Sequence, residues 1–413
     1  MAFTFIHAAD IHLDSPMAGM MRRDPALAEL TARSTRAAFS NLVDTAIAHD
    51  VDFLLIAGDL YDTEHKDYET GLFFAREMRR LGRPCVMIHG NHDSASQITK
   101  TLQPPPNVTI LPSDAPGLVT LDGPGVVIHG QSFAARAEAE DLAATYRQRV
   151  DGAFNIGLLH SSMENPGHHQ RYAPCRLETL VNKGYDYWAL GHVHTRDTLH
   201  EWPHVHFPGN TQGRHVREEG WRGATLVTVD EGRVTGMVPV ATDVVRWAVI
   251  HCDVTGCAVL DEVAALVRFE LAAARLQAEG RPLIARVVLT GGATTLHAAL
   301  LSSPAAIHAR CVAAALAVAD DVHIERVKLQ TAPEAADHSD LAALEEAVRS
   351  ALSDPGLTET LLKDFARLRG TVPDKAEVDV PQSPDALAGL LDDAWSVIHH
   401  ALTGQTLEVD ETP

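Results

Sequence analysis

The chain has 413 residues, 46% of them hydrophobic, which suits two or three domains with cores of their own and excludes a disordered polyelectrolyte. Its 34 Lys and Arg against 55 Asp and Glu give a net charge of −21, the wrong sign for a broad surface that binds nucleic acid by neutralising phosphates. Five scattered cysteines, an N-terminal apolar run cut by Asp10 and the lack of a long apolar window predict a soluble, cytoplasmic protein without signal peptide or membrane span.

In chain order, residues 1–240 (net charge −8) carry short apolar β-type runs at 3–8, 53–57, 85–89, 156–159, 187–190 and 224–229. Between them lie helical patterns at 31–49 and 70–81, whose apolar positions recur with the 3.6 period, so this segment reads as α/β. Residues 241–330 (−1) alternate more openly: strand 244–253, helix 260–278, strand 283–290, helix 304–318 and strand 322–329. Gly280-Arg281-Pro282 and Gly291-Gly292 punctuate that run, and a small two-layer α+β domain over 244–330 fits it. Residues 331–413 (−12) hold amphipathic helical patterns at 340–352, 357–368 and 384–402. These are too short and too acidic to form a domain alone, which predicts a helical tail over 335–413 that docks on a partner.

Five of the apolar runs in the first segment end in polar clusters. The first is followed by Asp10-Ile11-His12, the second by Gly58-Asp59-Leu60-Tyr61-Asp62 and the third by Gly90-Asn91-His92-Asp93. The fourth ends directly in His160, and the fifth in Gly191-His192-Val193-His194. Open α/β sheets bind ligands beyond the carboxyl ends of their strands, so these clusters are expected to converge on one site. Two carboxylates, an amide oxygen and up to five imidazoles are a metal-ligand inventory, and too large for one ion. Two ions a few ångströms apart are how phosphatases and nucleases clamp both oxygens of an in-line displacement. Asp59, central in the chain order, is the candidate bridge. The Asp-x-His and His-x-His spacings predict extended segments with both side chains on one face. Carboxylate and imidazole without thiolate suit Mn²⁺, Fe or Zn²⁺ better than Ca²⁺.

In their order, these motifs resemble the calcineurin-like metallophosphoesterase superfamily over the first 240 residues or so. The resemblance implies a two-sheet sandwich flanked by helices, with a first ion held by Asp10, His12, Asp59 and His194. It implies a second ion held by Asp59, Asn91, His160 and His192, with His92 protonating the leaving oxygen or stabilising the transition state. The opening at residues 5–15, the segment at 207–215 and the small domain that follows resemble, more narrowly, the SbcD-type DNA-repair nucleases and their YhaO-like group. That resemblance implies a Mn²⁺-dependent DNA nuclease, an α+β cap at 244–330, a homodimer and a tail that binds a Rad50/SbcC-like coiled-coil ATPase. The chain contains no Gly-Lys-Ser/Thr P-loop, so such an ATPase would be a separate subunit.

Asp62 stands where related archaeal nucleases have a histidine, and the sequence assigns it no role. Asp93 is read as orienting a neighbour, His168-His169 and His399-His400 as solvated surface, and Cys252 and Cys257 as core. His204-Val205-His206 is read as a strand lining the site. Asn210, Arg214 and His215 either contact substrate phosphate or form a structural loop, and Arg171, Arg214, Arg217 and Arg222 are the local cations. Two other readings stay open: a phosphodiesterase or phosphatase for small nucleotides, and a scaffold with a vestigial metal site.

Overall fold

The computed structural model describes residues 2–15, 30–62, 68–95, 103–163, 173–292, 296–332 and 355–369, with isolated positions between 346 and 390. His168, His169, Arg171, His399, His400 and nearly all of the predicted helices 340–352 and 384–402 lie outside the described residues.

The first segment forms β1 (Phe3–Ala8), α1 (Ser34–Ala48), β2 (Phe53–Ala57), α2 (Tyr68–Leu81), β3 (Cys85–Ile88), α3 (Asn91–Ala95) and β4 (Val108–Ile110). It continues with β5 (Gly117–Leu121), β6 (Val126–Gly130), β7 (Phe154–His160), α4 (Leu177–Asn182), β8 (Tyr187–Gly191), β9 (Asp197–Glu201), β10 (His204–Phe207), β11 (Gly223–Asp230) and β12 (Arg233–Ala241). The strands form two six-stranded sheets, ordered β12-β11-β1-β2-β3-β4 and β5-β6-β7-β8-β10-β9. This is the expected two-sheet α/β sandwich. All six predicted strands are present. The sequence expectation lacks β4, β5, β9 and β12, which are short or half-exposed and carry weak apolar runs, and it also lacks β6, although the Val126-Val127-Ile128 run of that strand is fully buried.

Within the first sheet β1, β2, β3 and β4 run parallel, and within the second β6, β7, β8 and β10 do. The central strands are apolar on both faces because both faces are covered. In β2, Phe53, Leu55 and Ala57 point between the sheets and meet Ile156, Leu158 and Tyr187 of the second, while Leu54 and Ile56 point outward. Outward, they pack under Phe39, Leu42 and Val43 of α1 and Phe74 and Met78 of α2. Apolar residues at 38, 39, 42, 43 and 46 place one stripe of α1 on the sheet, and each fully buried Leu, Ile or Phe contributes about 1.5–3 kcal/mol. A third cluster on the outer face of the second sheet centres on Trp188 with Tyr146, Tyr185 and Leu190.

Beyond β12 come β13 (Arg246–Asp253), α5 (Leu260–Gln277), β14 (Leu283–Gly291), α6 (His297–Ser302), α7 (Pro304–Leu316), β15 (Val322–Thr331) and α8 (Pro355–Arg369). Strands β13, β14 and β15 form a three-stranded sheet in that order. By contacts the chain divides into residues 1–249, 271–286 and 319–325 as one unit, and 250–270, 287–318 and 326–413 as the other. Predicted helix 357–368 begins earlier than expected, at Pro355, because proline is tolerated in the first turn of a helix.

Packing around Trp188 leaves no slack at Gly157, the residue paired with it across β7 and β8. A Cβ there would lie 2.3 Å from Trp188 Cε3, whereas one on Gly236 would meet nothing closer than 3.8 Å. G157A should therefore lower unfolding stability by about 1–3 kcal/mol in a denaturant titration. G236A, measured alongside, should change it little.

Candidate metal centre

The carboxyl ends of β1, β2, β3, β7 and β8 meet at one rim, and close approach there is literal. A Cβ on Gly191 would sit 1.9 Å from the carbonyl oxygen of Ala57, and one on Gly90 2.3 Å from Asp59 Oδ1. Only glycine lets the exits of β8 and β3 come this near to β2.

The backbone does not place Asp10 and His12 as the sequence spacing suggests. Residues 10–12 leave the strand, and Asp10 and His12 both take left-handed conformations, with φ of 51° and 47°. Asp59 (φ 53°) and His192 (φ 98°) do the same. The two side chains of the Asp-x-His pair thus share a face through two left-handed residues, not through the alternation of a pleat. Such conformations cost of order 1–3 kcal/mol each and persist where the surroundings over-determine them. Here the exit loop of β1 is laced to that of β2. The N–H groups of Asp10, Ile11, His12 and Leu13 donate to carbonyls of Gly58, Asp59, Asp59 and Leu60 at 2.9–3.1 Å.

All seven predicted ligand residues are brought together. His12 Nε2 lies 3.8 Å and His160 Nε2 3.4 Å from Asp59 Oδ2, which puts this carboxylate between two imidazoles. His194 Nε2 stands 3.9 Å from Asp10 Oδ1, and the two oxygens of Asp10 accept the His192 N–H at 3.1 and 3.0 Å. Asn91 Oδ1 is 3.0 Å from His160 Nε2 and 3.3 Å from His192 Nδ1. Ligating atoms of Asp10, His12 and His194, and separately of Asp10, Asp59 and His160, lie within 4.8 Å of one another. The atoms of His12, Asp62 and His92 form a third such group.

The donors fit a metal in a further respect. His12 is fully buried, yet neither of its ring nitrogens has a hydrogen-bond partner among the described residues. Leaving such a group unsatisfied costs about 1–3 kcal/mol, and a cation in front of Nε2 removes that cost. The other rings are aimed by acceptors. His160 Nδ1–H donates to the Ala57 carbonyl at 2.9 Å, which turns Nε2 to the cluster. His194 Nδ1–H donates to Glu218 Oε1 at 2.6 Å.

Electrostatics follow from this crowding. Burial alone would raise the Asp59 carboxyl, but the charge and hydrogen bond of His160, with His12 beside it, hold it far below the usual carboxylate range. Burial would lower His160, but Asp59 outweighs it and the imidazole is raised to about 9. Asp10, opposed only in part by His194, is pushed by burial up to about 6. Burial, reinforced by His160, lowers His192 to about 3, and burial with Arg214 nearby lowers His12 well below its ordinary value.

His92 is half-buried beside this group, and its Nδ1–H donates to Asp62 Oδ1 at 3.0 Å. Burial works against its charged form, yet that hydrogen bond and the charge of Asp59 raise it. Asp62 therefore has a role that its position in the sequence did not reveal. Asp93 accepts the N–H groups of Gly90, Leu60 and Tyr61 at 3.0, 3.2 and 2.8 Å, joining the exits of β2 and β3. Glu218, also unsuspected, lies 24 residues beyond His194, and no local pattern marks it. Asn210 is fully buried in the loop between β10 and β11, and its amide donates to Glu218 Oε2 at 3.0 Å, which makes it structural. His206 does not line the site. It lies inside β10, opposite Ala189, and its ring nitrogens meet Thr198 and Thr225 at 2.9 and 2.8 Å.

Residues 3–196 match the family profile of the calcineurin-like phosphoesterases, and residues 247–332 that of the middle domain of metallophosphoesterase YhaO. The chain is 37% identical over 297 residues, 70% of its own length and 72% of the relative's, to the metallophosphoesterase YhaO of Bacillus subtilis (strain 168). The chain belongs to the calcineurin-like metallophosphoesterases, in their YhaO-like group. It is also 27% identical over 283 residues to the DNA double-strand break repair protein Mre11 of Methanopyrus kandleri, covering 59% of this chain and 57% of that one. Identity to the Mre11 of Sulfurisphaera tokodaii is 30% over 170 residues, 38% of this chain and 42% of that one. The chain thus spans about half the length of those two relatives. Membership makes this a metal-dependent phosphoester hydrolase of a family built on a dimetal centre, and the clustered carboxylates and imidazoles are the matching donor set.

In the metal-free protein His160 is protonated at neutral pH, and its Nε2 must lose that proton to ligate. Metal loading near pH 7.5 should release about one proton, read by calorimetry in buffers of different ionisation enthalpy. Apparent affinity should climb about tenfold per pH unit towards pH 9 and flatten above it. Below about pH 6 the climb should be steeper, since Asp10 gives up a proton as well.

Proposed function

We propose that this chain is a two-metal phosphodiesterase that cleaves DNA, an exonuclease or endonuclease of DNA repair working with a Rad50/SbcC-like coiled-coil ATPase. The observation that carries the chemistry is the gathering of Asp10, His12, Asp59, Asn91, His160, His192 and His194 around buried carboxylates, with both nitrogens of His12 left unpartnered. Similarity to proteins named DNA double-strand break repair protein Mre11 supports the substrate class.

In this reading Asp10, His12, Asp59 and His194 hold one ion, and Asp59, Asn91, His160 and His192 the other. Asp59 would be the shared residue, since its carboxylate lies between His12 and His160. The mixed oxygen and imidazole set suits Mn²⁺, Fe or Zn²⁺, and the likeness to DNA-repair nucleases selects Mn²⁺ among them. When bound, the ion pair activates water at neutral pH and offsets charge on the phosphoryl oxygens. Everything else falls to the protein. Asp62 accepts a hydrogen bond from His92 Nδ1–H and favours the protonated imidazole, which suits His92 to the role of the acid that protonates the departing 3′ oxygen. Arg214, with a nearly buried guanidinium 3.8 Å from Asp62, adds positive charge at this side of the site.

Residues 1–240 carry the catalysis in this proposal, 244–330 the cap and 335–413 the contact with the ATPase. A chain of net charge −21 needs its ions and a few local cations to hold a DNA end, so the ATPase subunit and a second copy of this chain supply the remaining grip. Among the described residues no helix is long and apolar enough to cross a membrane. A cytoplasmic location fits that.

Short DNA duplexes, single strands and cyclic nucleotides offered with Mn²⁺ discriminate the substrate classes. DNA should be cleaved fastest, and cyclic nucleotides turned over faster than any DNA would overturn the reading. H92Q should slow DNA cleavage by about 10²–10⁴-fold while Mn²⁺ binding stays unchanged. D62N should shift the alkaline limb of the pH–rate profile to lower pH, because His92 loses the bond that raises it. Pull-down with a co-expressed P-loop coiled-coil ATPase should succeed with the full chain and fail once residues 335–413 are deleted.

A further inference from the structure

Of the carboxylates and imidazoles gathered at the rim, His194 is the one whose aim depends most visibly on a residue outside the motifs. Its side chain is 27% exposed, against no more than 2% for Asp10, Asp59 and His160. It stands three residues past the end of β8, where no ladder holds the chain. A half-exposed imidazole in that position turns freely about its side-chain torsions unless something fixes it.

Glu218 does so. Its carboxylate is an acceptor only, so the 2.6 Å contact with His194 Nδ1 places the proton on Nδ1 and leaves the lone pair of Nε2 facing Asp10, 3.9 Å away. The second oxygen of Glu218 accepts from Asn210 Nδ2 at 3.0 Å and from the Arg214 N–H at 2.7 Å, so the carboxylate cannot swing away. The backbone of His194 is held from the same loop, for its carbonyl accepts from the Asn210 N–H and from Arg222. Arg214 Nη2 donates to Glu218 Oε1 at 3.3 Å, and its Nη1 donates to Ser15 at 3.3 Å and lies 3.8 Å from Asp62, the partner of His92. The loop is itself anchored away from the site: Gln212 Nε2 donates to the Val245 carbonyl, Val244 N–H to Gln212 Oε1 and Trp247 Nε1–H to the Gly213 carbonyl, at 2.8–2.9 Å.

We infer that Glu218 is the positioning residue of His194, fixing its ring and tautomer for the first ion, and that Arg214 ties this unit to the Asp62–His92 pair. The inference rests on the ligand set proposed above. A carboxylate that merely pinned the 209–222 loop would be mimicked by any change that loosens that loop, whereas the loss of a positioning residue would not.

The test is Mn²⁺ titration of the full chain by calorimetry and electron paramagnetic resonance. Wild type is expected to take two ions and show the spectrum of a spin-coupled pair. E218A should weaken one of the two sites by about 10–100-fold, leave the other nearly unchanged and give an uncoupled spectrum at intermediate Mn²⁺. E218Q keeps an oxygen for the Nδ1 proton and should fall between, and it carries the test if E218A does not fold. In an H194A background E218A should add nothing, since both changes remove the same interaction. Q212A, which loosens the loop without touching His194, should leave both affinities as they were. Equal weakening of both sites by E218A, or full additivity with H194A, overturns the inference. So does wild-type behaviour of E218A while the wild type binds two ions. A wild type that takes one ion or none overturns the ligand set, and this inference with it.

Discussion

The centre of this protein depends on two chain segments that leave neighbouring parallel strands and bond to each other instead of continuing the ladder. The exits of β1 and β2 are stitched by four backbone hydrogen bonds, and Asp10, His12 and Asp59 are all left-handed within them. Two like-charged carboxylates are thereby buried side by side, an arrangement that is costly without compensation. Imidazoles offset part of that cost, which is why Asp59 stays ionised while His160 holds a proton well above its ordinary range. A pair of divalent cations, as the family's dimetal centre implies, would offset the rest more completely.

The sandwich makes this arrangement possible. A dense apolar layer between the sheets, with Phe5 and Phe53 stacked 4.9 Å apart, fixes the spacing of β1 and β2. Helices α1 and α2 cover the outer face of the first sheet, and the cluster around Trp188 covers that of the second, so neither has to expose its central strands. Strand ends can then afford irregular backbone, and glycine at 90 and 191 opens the space in which His160 from β7 reaches the Asp59 carboxylate and Asn91, just beyond β3, meets both His160 and His192. The supporting layer is polar and equally specific: Asp93 staples the exits of β2 and β3, Asp62 holds His92, and Glu218 holds His194.

Family membership and chemistry agree on a metal-dependent phosphoester hydrolase. The acidity of the chain is the feature that pulls against a nucleic-acid substrate, and more than half of it falls in the last fifth of the sequence, after the last of the motifs that form the centre. Among the described residues, the arginines beside the centre are already engaged. Arg222 is spent on Asn210 and the His194 carbonyl, and Arg214 on Glu218 and Ser15.

By itself the sequence determined the strands, because apolar runs buried on both faces are local, and the donor residues, because Asp, Asn and His after such runs have few other uses. Asp10, His12, Asp59, Asn91, His160, His192 and His194 were all legible in this way. Only the tertiary structure decided how they are aimed. The left-handed turns at Asp10 and His12 replaced the expected pleat because hydrogen bonds to another loop, 48 or so residues away, set that backbone. The work of Asp62 and Glu218 was invisible for the same reason: each carboxylate acts on an imidazole 30 or 24 residues distant, and no pattern along the chain records a contact made only by folding.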